Sequence, residues 1–243
     1  NIIYNRGFGK IKEIISGTVL PTPGAVFYAA ELLYDMIGDL LVIDVGGATT
    51  DIHSVCLEKP ENRELHVSPE PLAKRTVEGD LGVFINREHV ANHLENLDKS
   101  KLVFDWQTPF PHSAKETAEI NTLSLKAAEI ALLRHAGFFR ETYNGDGGKI
   151  VLGKDLSKVK SIVLTGGALT QIQDVSSEIY YMIDLLAKRN PNLLLPQKIE
   201  KIYRDRNYIL ALAGYLSLEY KEISKTLLQK YLIQQHDLST TFN

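Results

Sequence analysis

Apolar residues along the chain form short continuous runs and longer runs that keep the spacing of one helix face. Residues 40–43 and 159–164 are short apolar runs, each soon followed by a Gly-Gly pair, and they predict strands buried on both faces. Residues 49–57 follow the first run after a short turn at Gly46 and Gly47, which predicts an antiparallel hairpin. Strands that alternate with helical patterns indicate an α/β protein.

The other patterns complete an order of three early strands, a helical middle and a final strand–loop–helix unit. A third strand is predicted at residues 63–68 and an edge strand at 199–203. Thr22 and Pro23 mark a helix start, because threonine caps helices and proline fits the first turn. The predicted helices lie at residues 11–15, 25–36, 78–97, 113–139, 176–188, 207–220 and 222–234, and residues 98–112, with Trp106, are predicted to be a loop.

Composition narrows the functional class. The chain has 243 residues, of which 44% are hydrophobic and 23% charged, and these values are ordinary for a soluble globular protein. The net charge of −3 argues against non-specific nucleic-acid binding, which requires a basic surface. The sequence has no run of 18 apolar residues, so no membrane span is predicted.

Cysteine content and the chain start add two expectations. The single cysteine, Cys56, cannot form an internal disulfide, a structural zinc site or the ligand set of an iron–sulfur cluster. A reducing cytoplasm is therefore the expected location. The chain begins at Asn1 without the pattern of a signal peptide, and we expect it to be a fragment or a processed product that lacks an N-terminal part.

The first glycine loop, residues 44–51, reads Asp-Val-Gly-Gly-Ala-Thr-Thr-Asp. Its two glycines carry no side chain over the turn, so backbone N–H groups can approach a phosphate closely. Its two threonines add hydroxyl donors. Carboxylates at Asp44 and Asp51 can hold a hydrated Mg²⁺ or orient a water molecule. A plain hairpin turn would need neither the threonines nor the aspartates, so the run indicates a phosphate site.

The second glycine loop, residues 162–170, follows the second apolar run and reads Ile-Val-Leu-Thr-Gly-Gly-Ala-Leu-Thr. A strand followed by small residues and then a helix is a common way to bring backbone against a nucleotide. A tight strand–helix turn would give the same pattern, so this loop alone does not distinguish a nucleotide site from a simple turn. The two loops together, in this order, indicate a nucleotide site.

The order of the two loops resembles the second phosphate motif and the adenosine motif of the actin/Hsp70/sugar-kinase superfamily. The resemblance covers about residues 20–220. It implies an α/β, ribonuclease H-like ATPase lobe with a mixed sheet, helices on both faces and a helical insertion at residues 83–158. The superfamily's first phosphate motif has no counterpart here. Residues 1–243 therefore resemble the second lobe, and hydrolysis would require the missing first lobe.

Three segments resemble the glutamate mutase L protein family more narrowly. They are residues 38–55, 74–82 and 160–168. That family is associated with adenosylcobalamin-dependent carbon-skeleton mutases and aminomutases, and its members are thought to be ATP-dependent reactivating chaperones. The resemblance implies a cytoplasmic factor that uses ATP and Mg²⁺ and reactivates such a mutase by exchanging damaged cobalamin for intact cobalamin.

The same resemblance implies roles for individual residues. Asp44 would act on Mg²⁺ or on the attacking water, and Asp51 would hold Mg²⁺ through water. The phosphate contacts would be Gly46, Gly47, Thr49 and Thr50. The adenosine contacts would be Gly166, Gly167 and Ala168, with Glu78 and Gly79 as further candidates on the ribose side. Glu78 is equally expected at a helix start from the helix dipole alone.

Two other functions fit the same loops. A small-molecule kinase of the superfamily would need a substrate pocket and a catalytic aspartate in the other lobe. A non-catalytic nucleotide-binding assembly module would need surfaces for self-association. Fold alone does not choose among the three.

Overall fold

The fold comes from a computed structural model, which describes residues 20–94, 102, 107–108, 110–142 and 148–235. The helix predicted at residues 11–15 and the loop residue Trp106 lie outside the described residues. The helices are α1 (Thr22–Ile37), α2 (Pro60–Arg63), α3 (Arg87–Ala91), α4 (Ala114–His135), α5 (Val175–Arg189), α6 (Ile209–Leu216) and α7 (Lys221–Leu228), which continues as a π-helical turn (Gln229–Ile233). The strands are β1 (Leu40–Val45), β2 (Thr50–Val55), β3 (Ala73–Glu78), β4 (Phe138–Glu141), β5 (Lys149–Leu152), β6 (Ser161–Thr165) and β7 (Lys201–Arg204).

The central sheet is mixed and has the strand order β3-β2-β1-β6-β7. β1, β2 and β3 are antiparallel neighbours, whereas β1, β6 and β7 run parallel. The predicted hairpin, the antiparallel start and the edge position of the last strand are confirmed. Because the parallel strands end at the same edge of the sheet, their following loops meet there.

Helices cover both faces of this sheet, as expected for a buried α/β sheet. Alternate residues of β1 enter different cores: Leu41 and Ile43 pack with α4 and α5, and Leu40 and Val42 pack with α1 and α6. Helix α1 ends at Gly38, whose φ of 79° suits glycine. The predicted α/β class, mixed sheet and two-sided helical cover are confirmed.

The third strand was predicted in the wrong place. Arg63 ends helix α2, residues 64–68 follow it outside any strand of the sheet, and the strand that pairs with β2 is Ala73–Glu78. It lies at the edge of the sheet and reads Ala-Lys-Arg-Thr-Val-Glu, with Arg75 and Val77 exposed. A half-exposed edge strand carries little apolar signal, whereas the alternation at 63–68 resembled one.

Two helix predictions also need correction. Within the described residues 78–94 of the helix predicted at 78–97, the α-helical part is α3, because residues 81–85 lie in irregular structure against the first glycine loop. Residues 95–97 of that prediction lie outside the described residues. The helix predicted at 113–139 ends at His135, and Phe138 and Phe139 belong to β4. Gly137 lets the chain approach the backbone of Gly153 at this point, since a Cβ there would lie 2.6 Å from the Gly153 carbonyl carbon. Thr22 is the first residue of α1 rather than its cap.

Residues 83–158 contain α3, α4 and the two-stranded β4–β5 sheet. The apolar face of α4, including Leu123, Ala127 and Leu132, belongs to the same core as β1 and β6. The assignment of this segment as an insertion stays a prediction. Among the residues that the structure describes, no helix combines the length and apolar character needed to cross a bilayer.

Candidate functional site

The two glycine loops line one cleft of about 370 Å³ at the carboxyl edge of the parallel strands. From the loops and strand ends, the lining residues are Asp44, Gly46, Gly47, Ala48, Thr49, Asp51, Thr165, Gly166 and Gly167. From the helix side, they are Thr22, Pro23, Val26, Asp205, Tyr208 and Ala211. Loops predicted separately from distant parts of the sequence therefore face the same space.

The first glycine loop is a tight hairpin turn that is hydrogen-bonded to the segment after β3. The Gly46 N–H donates to the Thr49 carbonyl at 2.9 Å, which closes the turn. The N–H groups of Phe84 and Ile85 both donate to the Gly47 carbonyl at 2.9 Å. Gly82 permits this approach, because a Cβ there would lie 2.3 Å from the Ala48 backbone. The loop is therefore fixed by the segment that follows β3.

The two threonines of this loop point to different places. Thr49 lines the cleft, and its Oγ1 donates to Asp51 Oδ2 at 2.8 Å. Thr50 is fully buried, and its Oγ1 donates to the Leu81 carbonyl at 2.8 Å. The structure thus brings Thr49 into the cleft and uses the hydroxyl of Thr50 to hold residue 81.

The second glycine loop crosses directly over the end of β1. Gly166 has a φ of 87°, and a Cβ there would lie 2.3 Å from the Val45 carbonyl oxygen and 2.6 Å from Asp44 Oδ1. The Ala168 N–H donates to the same carbonyl at 3.3 Å, although Ala168 is not among the cleft-lining residues. Gly166 therefore serves the contact between the two loops, since only glycine fits both its conformation and its space.

Gly167 differs from its neighbour. A Cβ at Gly167 would meet a single atom within 4 Å, the Tyr208 hydroxyl at 3.8 Å. A side chain there would project into cleft space instead of into backbone. The absence of a side chain at Gly167 keeps this part of the cleft open.

Three carboxyl groups lie on the α1 and α6 side of the sheet at this edge. Asp44 and Asp51 are direct cross-strand partners in β1 and β2, and Asp205 follows β7. Burial, together with the negative charges of Asp51 and Asp205, raises the pKa of Asp44 to about 7. Burial also raises the pKa of Asp51 against the opposing hydrogen bond from Thr49. The cleft concentrates negative charge that its own lining does not neutralise.

One carboxylate oxygen in this cluster is unsatisfied. Asp51 Oδ1 is buried and has no hydrogen-bond partner among the described residues. The cleft lining contains no lysine or arginine. Buried polar atoms are normally paired, so this orphaned oxygen fits an arrangement that is completed by a bound cation or its water.

Sequence reasoning missed Asp205 and Tyr208. Asp205 Oδ1 accepts from the Ile209 N–H at 2.9 Å, and Oδ2 accepts from the Leu210 N–H at 3.0 Å and from Thr165 Oγ1 at 3.1 Å. Burial raises the pKa of Asp205 despite these bonds. An aspartate shortly before an apolar helical run is a capping signal that could have identified it. No sequence pattern marks Tyr208.

The structure does not bring Glu78 and Gly79 into the cleft. Glu78 is the last residue of β3, and its Oε2 accepts from Arg134 Nη1 at 2.6 Å. Gly79 follows in an exposed turn, and neither residue lines the cleft. The helix start that was expected at residue 78 is therefore wrong.

Other candidate chemistry is structural. Ser54 Oγ lies 2.8 Å from His135 Nε2, and both side chains are buried. Burial lowers the pKa of His135 to about 3, so the ring is neutral. Within the described ranges, no three or more His, Cys, Asp or Glu side chains are grouped closely enough to bind a metal directly. The water-mediated Mg²⁺ site expected at Asp44 and Asp51 stays a prediction.

Comparison with known proteins gives two matches. The chain matches the sequence model described as MutL protein over residues 1–232. It is 30% identical over 262 aligned residues to the curated Protein MutL of Clostridium tetanomorphum, and the match covers 96% of this chain and 55% of that protein. The chain thus spans about half the length of the curated relative that it matches.

Proposed function

The chain belongs to the MutL protein family, and from that premise we propose that it is the nucleotide-binding lobe of a factor that reactivates an adenosylcobalamin-dependent mutase. The family assignment confirms the resemblance to glutamate mutase L proteins that residues 38–55, 74–82 and 160–168 indicated. The mutase partner and the exchange of damaged cobalamin follow from that resemblance and are part of the proposal. The partner would be glutamate mutase or an aminomutase.

The proposal includes the fold family. An actin/Hsp70-like lobe has a mixed sheet with an antiparallel start and a parallel continuation. The order β3-β2-β1-β6-β7, with helices on both faces, agrees with that arrangement. In this fold family the nucleotide lies at the loops that follow β1 and β6, which are the loops of the present cleft.

We assign the phosphates to the first glycine loop and the nucleoside to the second. Gly46, Gly47 and Thr49 line the cleft on the β1–β2 side. Gly167 lines it on the β6 side, where its missing side chain leaves open space. The other predicted contacts support the loops. Thr50 holds residue 81 through its hydroxyl, Gly166 allows the second loop to cross the end of β1, and the Ala168 N–H donates to the Val45 carbonyl.

The carboxyl groups fit a hydrated magnesium ion. Asp44 and Asp51 are cross-strand neighbours, and Asp51 Oδ1 has no partner among the described residues. When bound, Mg²⁺ supplies charge neutralisation for the phosphates and a shell of ordered water. Asp44, with a pKa of about 7 in the free chain, can accept a hydrogen bond or a proton from a water molecule of that shell.

A single observation carries the proposal: two glycine loops line one cleft together with Asp44 and Asp51, whose carboxyl groups have no lysine or arginine in the lining. A cleft built only for stability would pair these charges. A cleft that receives a magnesium nucleotide leaves them available for the ion. We therefore interpret the unpaired charge as functional.

Calorimetric titration with Mg·ATP tests the nucleotide site. We expect the parent chain to bind at ligand concentrations up to about 1 mM, the upper end of common substrate constants. Gly167→Val should abolish binding, because its side chain would occupy the open part of the cleft. Ala118→Val adds bulk at an exposed position of α4 and should bind like the parent. Absence of binding by the parent would reject the nucleotide site.

A reactivation assay tests the mutase role, with the full polypeptide in which this sequence occurs. An adenosylcobalamin-dependent glutamate mutase or aminomutase is inactivated by turnover and then supplied with intact cofactor, Mg·ATP and the protein. We expect activity to recover with Mg·ATP and not without nucleotide. Nucleotide binding without recovery would reject the reactivation role and favour the kinase or assembly functions.

A further inference from the structure

Tyr208 occupies an unusual position at the rim of the cleft. Its φ is 52°, and among the described residues only Asp174 shares a positive φ without being glycine. L-residues with a Cβ avoid this region, and large aromatic residues are especially rare there. The side chain is also 47% exposed, although it precedes the apolar helix α6. The position is thus unfavourable for the backbone and gains little from burial.

The ring is nevertheless held in a defined place. Gln171 Nε2 donates to Tyr208 Oη at 2.8 Å, and Tyr208 Oη lies 3.1 Å from Thr170 Oγ1. Thr170 Oγ1 in turn donates to the Gly166 carbonyl at 2.9 Å. The hydroxyl of Tyr208 is therefore tied to the second glycine loop, and the ring spans the distance between that loop and the start of α6.

The ring faces the part of the cleft that glycine keeps open. The Tyr208 hydroxyl is the single atom that a Cβ at Gly167 would meet. The side chains that line the cleft from α1 and α6 are apolar at Val26 and Ala211, whereas the carboxyl groups belong to the strand ends. The cleft therefore combines an acidic part with a part that is apolar and aromatic.

We propose that Tyr208 is a specificity-determining residue that stacks on the nucleobase of the bound nucleotide. This inference rests on the proposed nucleotide function and assigns the base subsite to a residue outside both glycine loops. An anchored aromatic ring offers a flat apolar surface, and stacking on such a surface is favourable for any base because every base has a π-face. The residue then favours nucleoside triphosphates over polyphosphates that lack a base.

Calorimetry with Mg·ATP and with magnesium tripolyphosphate tests this assignment in the parent chain and in Tyr208→Ala. Loss of a stacking aromatic should weaken Mg·ATP binding by about 5- to 100-fold. Tripolyphosphate has no base, so its affinity should stay within about twofold of the parent. Tyr208→Phe keeps the ring and loses the hydroxyl anchor, and it should retain most of the affinity for Mg·ATP.

A tryptophan variant gives a second readout that does not depend on the alanine variant folding. In Tyr208→Trp, stacking should let Mg·ATP quench the fluorescence of the new indole, while tripolyphosphate should leave it unchanged. The parent protein, with Trp106 as its single tryptophan, provides the baseline.

The outcomes separate this inference from the function on which it rests. If the parent binds neither ligand, the nucleotide function itself fails. If the parent binds Mg·ATP and Tyr208→Ala weakens both ligands equally, or neither, the base-stacking role is overturned while the nucleotide function stands. Absence of quenching by Mg·ATP in Tyr208→Trp overturns it as well.

Discussion

Asp155 and Asp44 are both carboxylates in poorly hydrated surroundings, yet their pKas move in opposite directions. Burial would raise the pKa of Asp155, but hydrogen bonds from Ser157, Asn62 and Lys59 outweigh it and lower the pKa. Burial and two neighbouring carboxyl groups raise the pKa of Asp44 to about 7. The ionised carboxylate is therefore stabilised at Asp155 and destabilised at Asp44.

The Asp155 region is a polar clamp in which the charged atoms are paired. Asp155 Oδ1 accepts from the Ser157 N–H at 2.9 Å and from its hydroxyl at 2.5 Å, and Oδ2 accepts from Asn62 Nδ2 at 2.8 Å. The adjacent Lys154 is fully buried and donates to three backbone carbonyls, those of Cys56, Pro71 and Leu72. The clamp fastens residues 56–72 to the segment after β5.

The cleft aspartates are paired less completely. Burial raises the pKa of all three, and neighbouring carboxyl groups add to this effect at Asp44. Asp205 accepts three hydrogen bonds, but one oxygen of Asp51 has no partner among the described residues. Unfavourable polar arrangements of this kind often accompany ligand sites, because the ligand completes them. Burial therefore opposes a carboxylate charge only where hydrogen bonds to that carboxylate are too few to offset it.

Removal of the clamp carboxylate should have the largest effect on stability. Asp155→Ala leaves the buried donors of Ser157 and Asn62 and the partly buried Lys59 N–H without an acceptor. We expect the free energy of unfolding to fall by on the order of 3–5 kcal/mol, measured by urea denaturation. Asp184→Ala, which removes an exposed carboxylate paired with Lys188, should cost less than about 1 kcal/mol. Equal losses in the two variants would contradict a special role for the clamp.

Two adjacent residues of the second glycine loop show the same contrast between a structural position, Gly166, and a cleft position, Gly167. Gly166→Ala would bring a Cβ to 2.3 Å from the Val45 carbonyl oxygen at a φ of 87°, so we expect a loss of about 2 kcal/mol or more in unfolding free energy. Gly167→Ala should change stability by less than about 0.5 kcal/mol. It should still weaken Mg·ATP binding, because its Cβ enters the cleft. Matching stability losses at both glycines would show that Gly167 is a packing residue.

Asp44→Asn should stabilise the free chain at high pH. The folded-state pKa of Asp44 is about 7, above its ordinary value of 3.8, so the folded chain binds more protons than the unfolded chain between these values. Asp44 therefore lowers stability progressively as the pH rises through this window. In Mg²⁺-free buffer, the variant should be more stable than the parent by on the order of 1–3 kcal/mol at pH 8, and by less at pH 5.

The difference in unfolding free energy between Asp44→Asn and the parent removes the contribution of the buried histidines to the pH dependence. Burial lowers the pKa of His53 and of His135 to about 3, so both lower stability as the pH falls below their ordinary value of 6.5. Both proteins contain them, and their contribution cancels. The stabilised variant should also lose affinity for Mg·ATP. If Asp44→Asn is instead less stable than the parent at pH 8, the ionised Asp44 carboxylate has a stabilising partner in the folded chain, which contradicts this prediction.

The sequence predicted the parts of this site that are local. The strands β1, β2 and β6 and both glycine loops were found because a short apolar run and a Gly-Gly pair lie next to each other in the chain. Asp205 was missed because only the parallel pairing of β6 with β7 brings it beside Thr165. The different roles of Gly166 and Gly167 were also beyond sequence reasoning, since they depend on the crossing over Val45.

Glu78 was predicted to lie at a helix start near the ribose. The structure instead places it at the end of β3, paired with Arg134 and outside the cleft. Arg134 contacts Glu78 and also forms a two-pronged contact with Asp80, at 2.9 Å and 3.0 Å. Glu78→Gln therefore leaves Arg134 with a partner and should cost less than about 1 kcal/mol, a loss that added salt reduces further. We expect Mg·ATP affinity to stay within about twofold of the parent, because Glu78 does not line the cleft. A tenfold or greater loss of affinity with unchanged stability would instead make Glu78 a nucleotide contact. The nucleotide site would then extend beyond the residues that line this cleft, and a carboxylate paired with arginine would belong to it.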